Sequence, residues 1–241
     1  MTRHKVRVMV TALSGLSLLA TGCGSKSTTT PTATTSTRTS STSTTSAIAT
    51  TSTGEPSLVA TDSAVWPFVA GTTRYTDPVE AATDFAVTYL GFVKPVVGPF
   101  VPGDSRSGEV DIRPNKLGNA TTTVIVRKLA PDDTWWVLGA ATTHLQVQSP
   151  ARDATITSPV TVSGQSTAFE ATVNVAVRQD GSLTPIGTDF FMGGSNGTMG
   201  PFSKAVSFAK PTAKRGAVVF KMPSSDGSGT MEAGVIRVQF P

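Results

Sequence analysis

Cysteine occurs once in these 241 residues and histidine twice. A single thiol cannot close an internal disulfide, and so few imidazoles and thiols cannot assemble a four-ligand zinc site. Charge is sparse too: Asp, Glu, Lys and Arg make up 15% of the chain, and aromatics only 7%. The formal net charge of +4 is carried mostly by Arg3, Lys5 and Arg7; without them 17 basic residues face 16 acidic ones. A nucleic-acid partner demands a concentrated basic face, so none is expected. The apolar run "VMVTALSGLSLLA", residues 8–20, is shorter than the about 20 residues a spanning helix needs.

What is present at the start is a basic stretch, "MTRHKVR", followed by that short apolar run. Together they predict a secretory signal peptide over residues 1–22. The junction "LATGC" places small Thr21 and Gly22 directly before Cys23. This pattern resembles the bacterial lipobox, with Ala20 in a slot usually held by Leu and Leu19 one place further out. The resemblance implies cleavage between Gly22 and Cys23 and attachment of diacylglycerol to the Cys23 thiol. It also gives the lone cysteine a use, since acyl chains contribute about 0.8 kcal/mol of membrane affinity per buried methylene. The expected location is the extracytoplasmic face of a bacterial cell membrane, with Cys23 holding the chain to the lipid.

Residues 25–53 contain 22 Ser or Thr in 29 positions. No apolar periodicity offsets the entropy of ordering such a stretch, so residues 23–57 read as a lipidated cysteine and a disordered linker. Fully extended, about 30 residues reach roughly 100 Å at about 3.3 Å each. The folded part would then stand clear of the headgroups.

The remainder reads as a small α+β domain over 58–143 and an all-β immunoglobulin-like sandwich over 144–241. In "TDPVEAATDFAVTYLG", Asp77 is an N-cap, Pro78 opens the helix and Glu80 follows at capping-box spacing. Val79, Ala82, Phe85, Ala86, Tyr89 and Leu90 share a face at helical spacing, and Gly91 ends the run. "KPVVGPFVPGD" reads as a loop. Strands are expected at "GEVDIR", "TTTVIVRKL" and "TWWVLGA". The element order resembles the second half of a cystatin-like or nuclear-transport-factor-like fold, a likeness that carries no function.

In the second segment "PVTVSG", "TVNVAVRQ", "AVSF", "AVVFKM" and "GVIRVQF" alternate at strand period, with Ile236, Val238 and Phe240 facing one way. Turn signals at "QDGS", "GGSNGTMG", "KPTAKRG" and "SSDGSG" recur at sandwich spacing, giving seven expected strands. The stretches "VQSPARDATITSPVTVSGQSTAFEATVNVAVRQDGS", "GTMGPFSKAVSF" and "GVIRVQF" resemble the immunoglobulin-like domain of bacterial spore germination, the Gmad family. That resemblance implies an extracellular interaction module, and no catalytic residues come with it.

Other motifs carry little chemistry. "GGSNG" centres Ser195 in a G-x-S-x-G pattern, but a strand rather than a helix follows, and His144 is the only histidine beyond the leader. It reads as a hairpin loop. Glu109 and Asp111 share a strand face, Asp132 and Asp133 share a turn, and Asp226 alone cannot hold calcium. Adjacent Trp135 and Trp136 point to opposite faces of a strand, so one is core and the other either packs into the joint between the two domains, the favoured reading, or faces outward as a candidate binding surface. Phe190, Phe191 and Met192 beside the Gly-rich loop form a second candidate apolar patch, with sandwich core the favoured reading. The expectation is a non-catalytic envelope module without cofactor or metal, binding a protein or wall polymer. A second reading makes the α+β domain a small-ligand or enzymatic domain, with the sandwich as its targeting arm.

Overall fold

Asp77 starts the main helix as its sequence predicts. Its carboxylate accepts hydrogen bonds from the Val79 and Glu80 amides at 2.6 and 3.0 Å. Helix α1, Pro78–Asp84, then widens into a π-helical turn over Phe85–Leu90. Gly91 closes it in the left-handed region at φ 81°, where a side chain would be strained. The computed structural model describes residues 61–114, 120–225, 227 and 229–241. The expected signal peptide 1–22, Cys23, the linker 23–57 and Asp226 lie outside the described residues.

Twelve strands follow among the described residues. They are β1 Val96–Pro102, β2 Ser107–Arg113, β3 Thr122–Leu129, β4 Thr134–Ala141, β5 Leu145–Ser149 and β6 Val160–Ala168. Then come β7 Thr172–Gln179, β8 Gly187–Met192, β9 Gly194–Ser195, β10 Gly200–Val206, β11 Arg215–Pro223 and β12 Thr230–Gln239. Strand β1 corrects the expectation of a loop at "KPVVGPFVPGD". It lies at the edge of its sheet, where Pro99 and Pro102 cost no ladder bond on the open side.

One eight-stranded sheet runs in the order β1-β2-β3-β4-β12-β11-β7-β8, and a second sheet in the order β10-β6-β5 with β9 beside β6. The second sheet covers only the β12-β11-β7-β8 half of the first. Those seven strands and short β9 form the sandwich. Its core packs Val162, Val175, Phe191, Phe202, Phe220 and Val238, with Phe191 and Phe202 stacked at 3.9 Å. Ile236, Val238 and Phe240 all point into it, as the alternation of β12 predicts.

The opposite face of the large sheet is not left to water. Helix α1 and the π-helical turn pack against it, burying Phe85, Tyr89 and Leu90 with Val110, Val124 and Trp135. This core also takes Ala176, Ala217, Val219, Ala233 and Val235 from β7, β11 and β12. Strands β11 and β12 are therefore apolar on both faces, which is why "GAVVFKM" reads as a nearly continuous apolar run. The sheet crosses the expected boundary at 143/144 unbroken, because β12 returns beside β4 with Val235 opposite Ala140. The described residues belong to one compact unit, Thr53–Pro241. Among them no helix is long and apolar enough to cross a membrane.

Candidate interaction surface

Trp135 and Trp136 do point to opposite faces of β4, but neither meets solvent. Trp135 is 7% exposed and Trp136 1%. The α1 core covers the Trp135 face of β4, and Ala64, Leu129 and Arg74 cover the Trp136 face. Trp135 packs edge-on against Phe100 at 5.1 Å, and Trp136 joins Ala64 and Leu129 in a small separate cluster. Cations close over both rings: Lys128 over Trp135 at 5.5 Å and Arg74 over Trp136 at 4.9 Å. The candidate binding surface at this pair is thereby corrected to core. Gly22 and Cys23 lie outside the described residues.

The weighed motifs are placed apart. Ser195 leads into a tight turn in which Asn196 and Gly197 have positive φ and the Thr198 amide donates to the Ser195 carbonyl at 2.9 Å. His144 is engaged elsewhere: its Nδ1 lies 2.8 and 2.9 Å from the two Glu232 carboxylate oxygens. Glu232 also accepts from the Thr142 hydroxyl and the Thr121 amide, each at 3.0 Å. This cluster ties β12 to the ends of β3 and β4 and holds no nucleophile. Glu109 and Asp111 face solvent from β2, and Asp111 accepts from the Thr123 hydroxyl at 2.8 Å. Asp132 pairs with Arg74, and Asp133 with Arg106 and Lys128. Among the described residues no group of three or more His, Cys, Asp or Glu could hold a metal ion. Helix α1 and the sheet beneath it share one packed apolar core.

What the structure brings together lies at the other end of the large sheet. Strand β7 pairs Asn174 with Phe190 of β8 and with Lys221 of β11, which puts all three side chains in one row on the helix-side face. Two residues along, Thr188 lies opposite Ala176. One further step of two brings Arg178 onto the same face. These residues line a groove of about 420 Å³, together with Pro185 and Asp189.

The helix-side core stops short of this end. Phe190 and Met192 are each 55% exposed, whereas Phe191 between them is buried in the sandwich. The expectation that all three are core is corrected for Phe190 and Met192: β8 is an edge strand whose outer row has no layer above it. Strict alternation in "DFFM" was the available signal.

The groove is electropositive. Arg178 is buried, stacked on the Tyr89 ring at 4.7 Å, and donates from Nη1 to the Tyr89 carbonyl at 2.7 Å. Its Nε is buried without a hydrogen-bond partner. Burial pushes the Tyr89 phenol up to about 12. Lys221, half-buried, is pulled below the ordinary lysine range by desolvation first and by the Arg178 charge second. Asp189 is held low by the Phe190 amide and by Lys204, whose ammonium lies 3.2 Å away. That acid is already matched, and among the described residues no carboxylate forms an ion pair with Arg178 or Lys221; Asp180, which also acts on Tyr89, is paired with Arg237.

The groove residues fall within one recognisable stretch. Residues 144–228 match Gmad2, the immunoglobulin-like domain of bacterial spore germination. Asn174, Arg178, Thr188, Phe190 and Lys221 all lie inside the Gmad2 match, as do β5–β11. The last strand, β12, extends beyond it. No curated protein and no solved structure matches the chain.

Proposed function

We propose that this protein is an exported, lipid-anchored envelope protein acting as a non-catalytic interaction module. Lipid on Cys23 holds it at the extracytoplasmic face of the cell membrane, the Ser/Thr-rich linker spaces it from the lipid, and the Gmad2 sandwich contacts an envelope protein or a wall polymer. The lipobox-like "LATGC" and the composition of residues 25–53 support the anchor and the spacer. The single observation carrying the binding role is the row of exposed Phe190 and Asn174 with half-buried Lys221 on an uncovered sheet end. A large aromatic and unmatched charge kept at a surface are hallmarks of recognition rather than packing. A germination-related role follows from the Gmad2 match by likeness alone.

Fractionation of cells followed by co-sedimentation with isolated envelopes tests this reading. The wild-type chain is expected in the membrane fraction and on sedimented envelopes, and the Cys23→Ala chain in the released fraction while still sedimenting with envelopes. Release of the wild type, or an absence of envelope binding by both chains, would overturn it.

A further inference from the structure

We propose that the groove over β8, β7 and β11 binds an anionic sugar, with its carboxylate or phosphate held by Arg178 and Lys221 and its ring laid on Phe190. This rests on the interaction-module reading and gives it a ligand class.

Four features converge on that chemistry. First, the positive charge is arranged rather than scattered. Arg178 is fixed in advance by its bond to the Tyr89 carbonyl and by stacking on the Tyr89 ring, so little rotamer freedom remains to be lost on binding. Second, the charges are held at a cost: Lys221 is partly desolvated beside a like charge, and no carboxylate among the described residues relieves it. An incoming anion supplies the missing counter-charge. Lys204 adds a third cation at the rim, 6.0 Å from the Phe190 ring centre and paired with Asp189.

Third, Asn174 and Thr188 are exposed on the same face as the aromatic and the cations. An amide and a hydroxyl can each donate and accept, which is what ring hydroxyls require. Fourth, Phe190 offers an exposed flat ring beside them, and the apolar C–H face of a pyranose is its natural complement. The volume of about 420 Å³ suits one or two sugar rings. A bare inorganic anion would leave Phe190 without a role, and a neutral sugar would leave the two cations without one.

Calorimetric titration of the full chain in detergent tests the assignment with three probes: N-acetylmuramic acid, N-acetylglucosamine 6-phosphate and neutral N-acetylglucosamine. Binding of either anionic sugar about tenfold or more tighter than the neutral one is expected, and the tighter of the two tells carboxylate from phosphate. Raising salt should weaken the anionic sugars and leave the neutral one unchanged. Lys221→Gln should lower their affinity about fivefold or more with thermal stability retained, and Phe190→Ala should weaken them independently. Equal affinity for the neutral sugar, indifference to Lys221→Gln in a folded chain, or displacement of the sugars by an acidic peptide would overturn the inference. Envelope sedimentation that persists without sugar binding removes this inference and spares the module. Sugar binding without envelope sedimentation removes the module.

Discussion

Asp77 is the clearest case of one side chain deciding local structure. It caps two amides at the start of α1. Asp77→Ala should lower stability by about 0.5–2 kcal/mol, read from denaturant midpoints at unchanged slope. Glu232 acts at longer range. Its carboxylate serves the buried Thr142 hydroxyl and the His144 ring at once. Glu232→Ala leaves that hydroxyl without its acceptor and should cost about 1–3 kcal/mol, while Glu232→Gln should retain most of the stability. Lys221 has the opposite sign. Its folded pKa lies below the ordinary 10.5, so the unfolded chain holds the proton more tightly. The penalty is full below the folded value and lifts as pH rises through it toward the unfolded value. Stability from Lys221 should therefore increase with pH in that window, and Lys221→Gln should flatten this part of the profile in thermal melts.

Elements were legible in the sequence where one signal dominated. The helix declared itself through Asp77, Pro78 and Gly91, β2, β3, β6, β7 and β12 through apolar alternation, and β11 through a nearly continuous apolar run. Strand β1 did not, because its prolines read as loop punctuation and only an edge position makes them harmless. The outward Phe190 and Met192 were half legible: alternation in "DFFM" sets them apart from Phe191 but does not say which face is covered. Apolar identity argues for core, and only the absence of a covering layer over β8 makes them surface. The same gap concealed the burial of Arg178 and left the cover of the second tryptophan open, since a side chain's cover depends on elements distant in sequence. At the seam between β4 and β12 the close approach is set by Gly139, where an added Cβ would meet the Val235 carbonyl oxygen at 2.8 Å. Gly139→Ala must therefore push backbone against backbone. A loss of about 1–3 kcal/mol is expected, visible as a lowered melting temperature.

Across the whole molecule, the shared sheet matters more than the change in sequence character near residue 143. Ala176, Ala217, Val219, Ala233 and Val235 complete a core whose other half is helix α1 and strands β2–β4. Arg237, fully buried in β12, adds a tie by donating to the Asp62 carbonyl at 2.7 Å and to the Asp180 carboxylate. Residues 144–241 expressed alone would expose that apolar face, and should show a lower melting temperature than the full chain and bind hydrophobic dyes. The full chain should melt in one transition, coincident by near- and far-ultraviolet circular dichroism. The uncovered β8 end of the shared sheet carries the exposed Phe190 beside Arg178 and Lys221. The most direct test is site-specific photo-crosslinking in intact cells, with the probe at Thr188 in the groove or at Thr161 on the exposed outer row of β6. Envelope adducts at Thr188 and none at Thr161 are expected; equal labelling at both positions, or none at Thr188, would contradict the account.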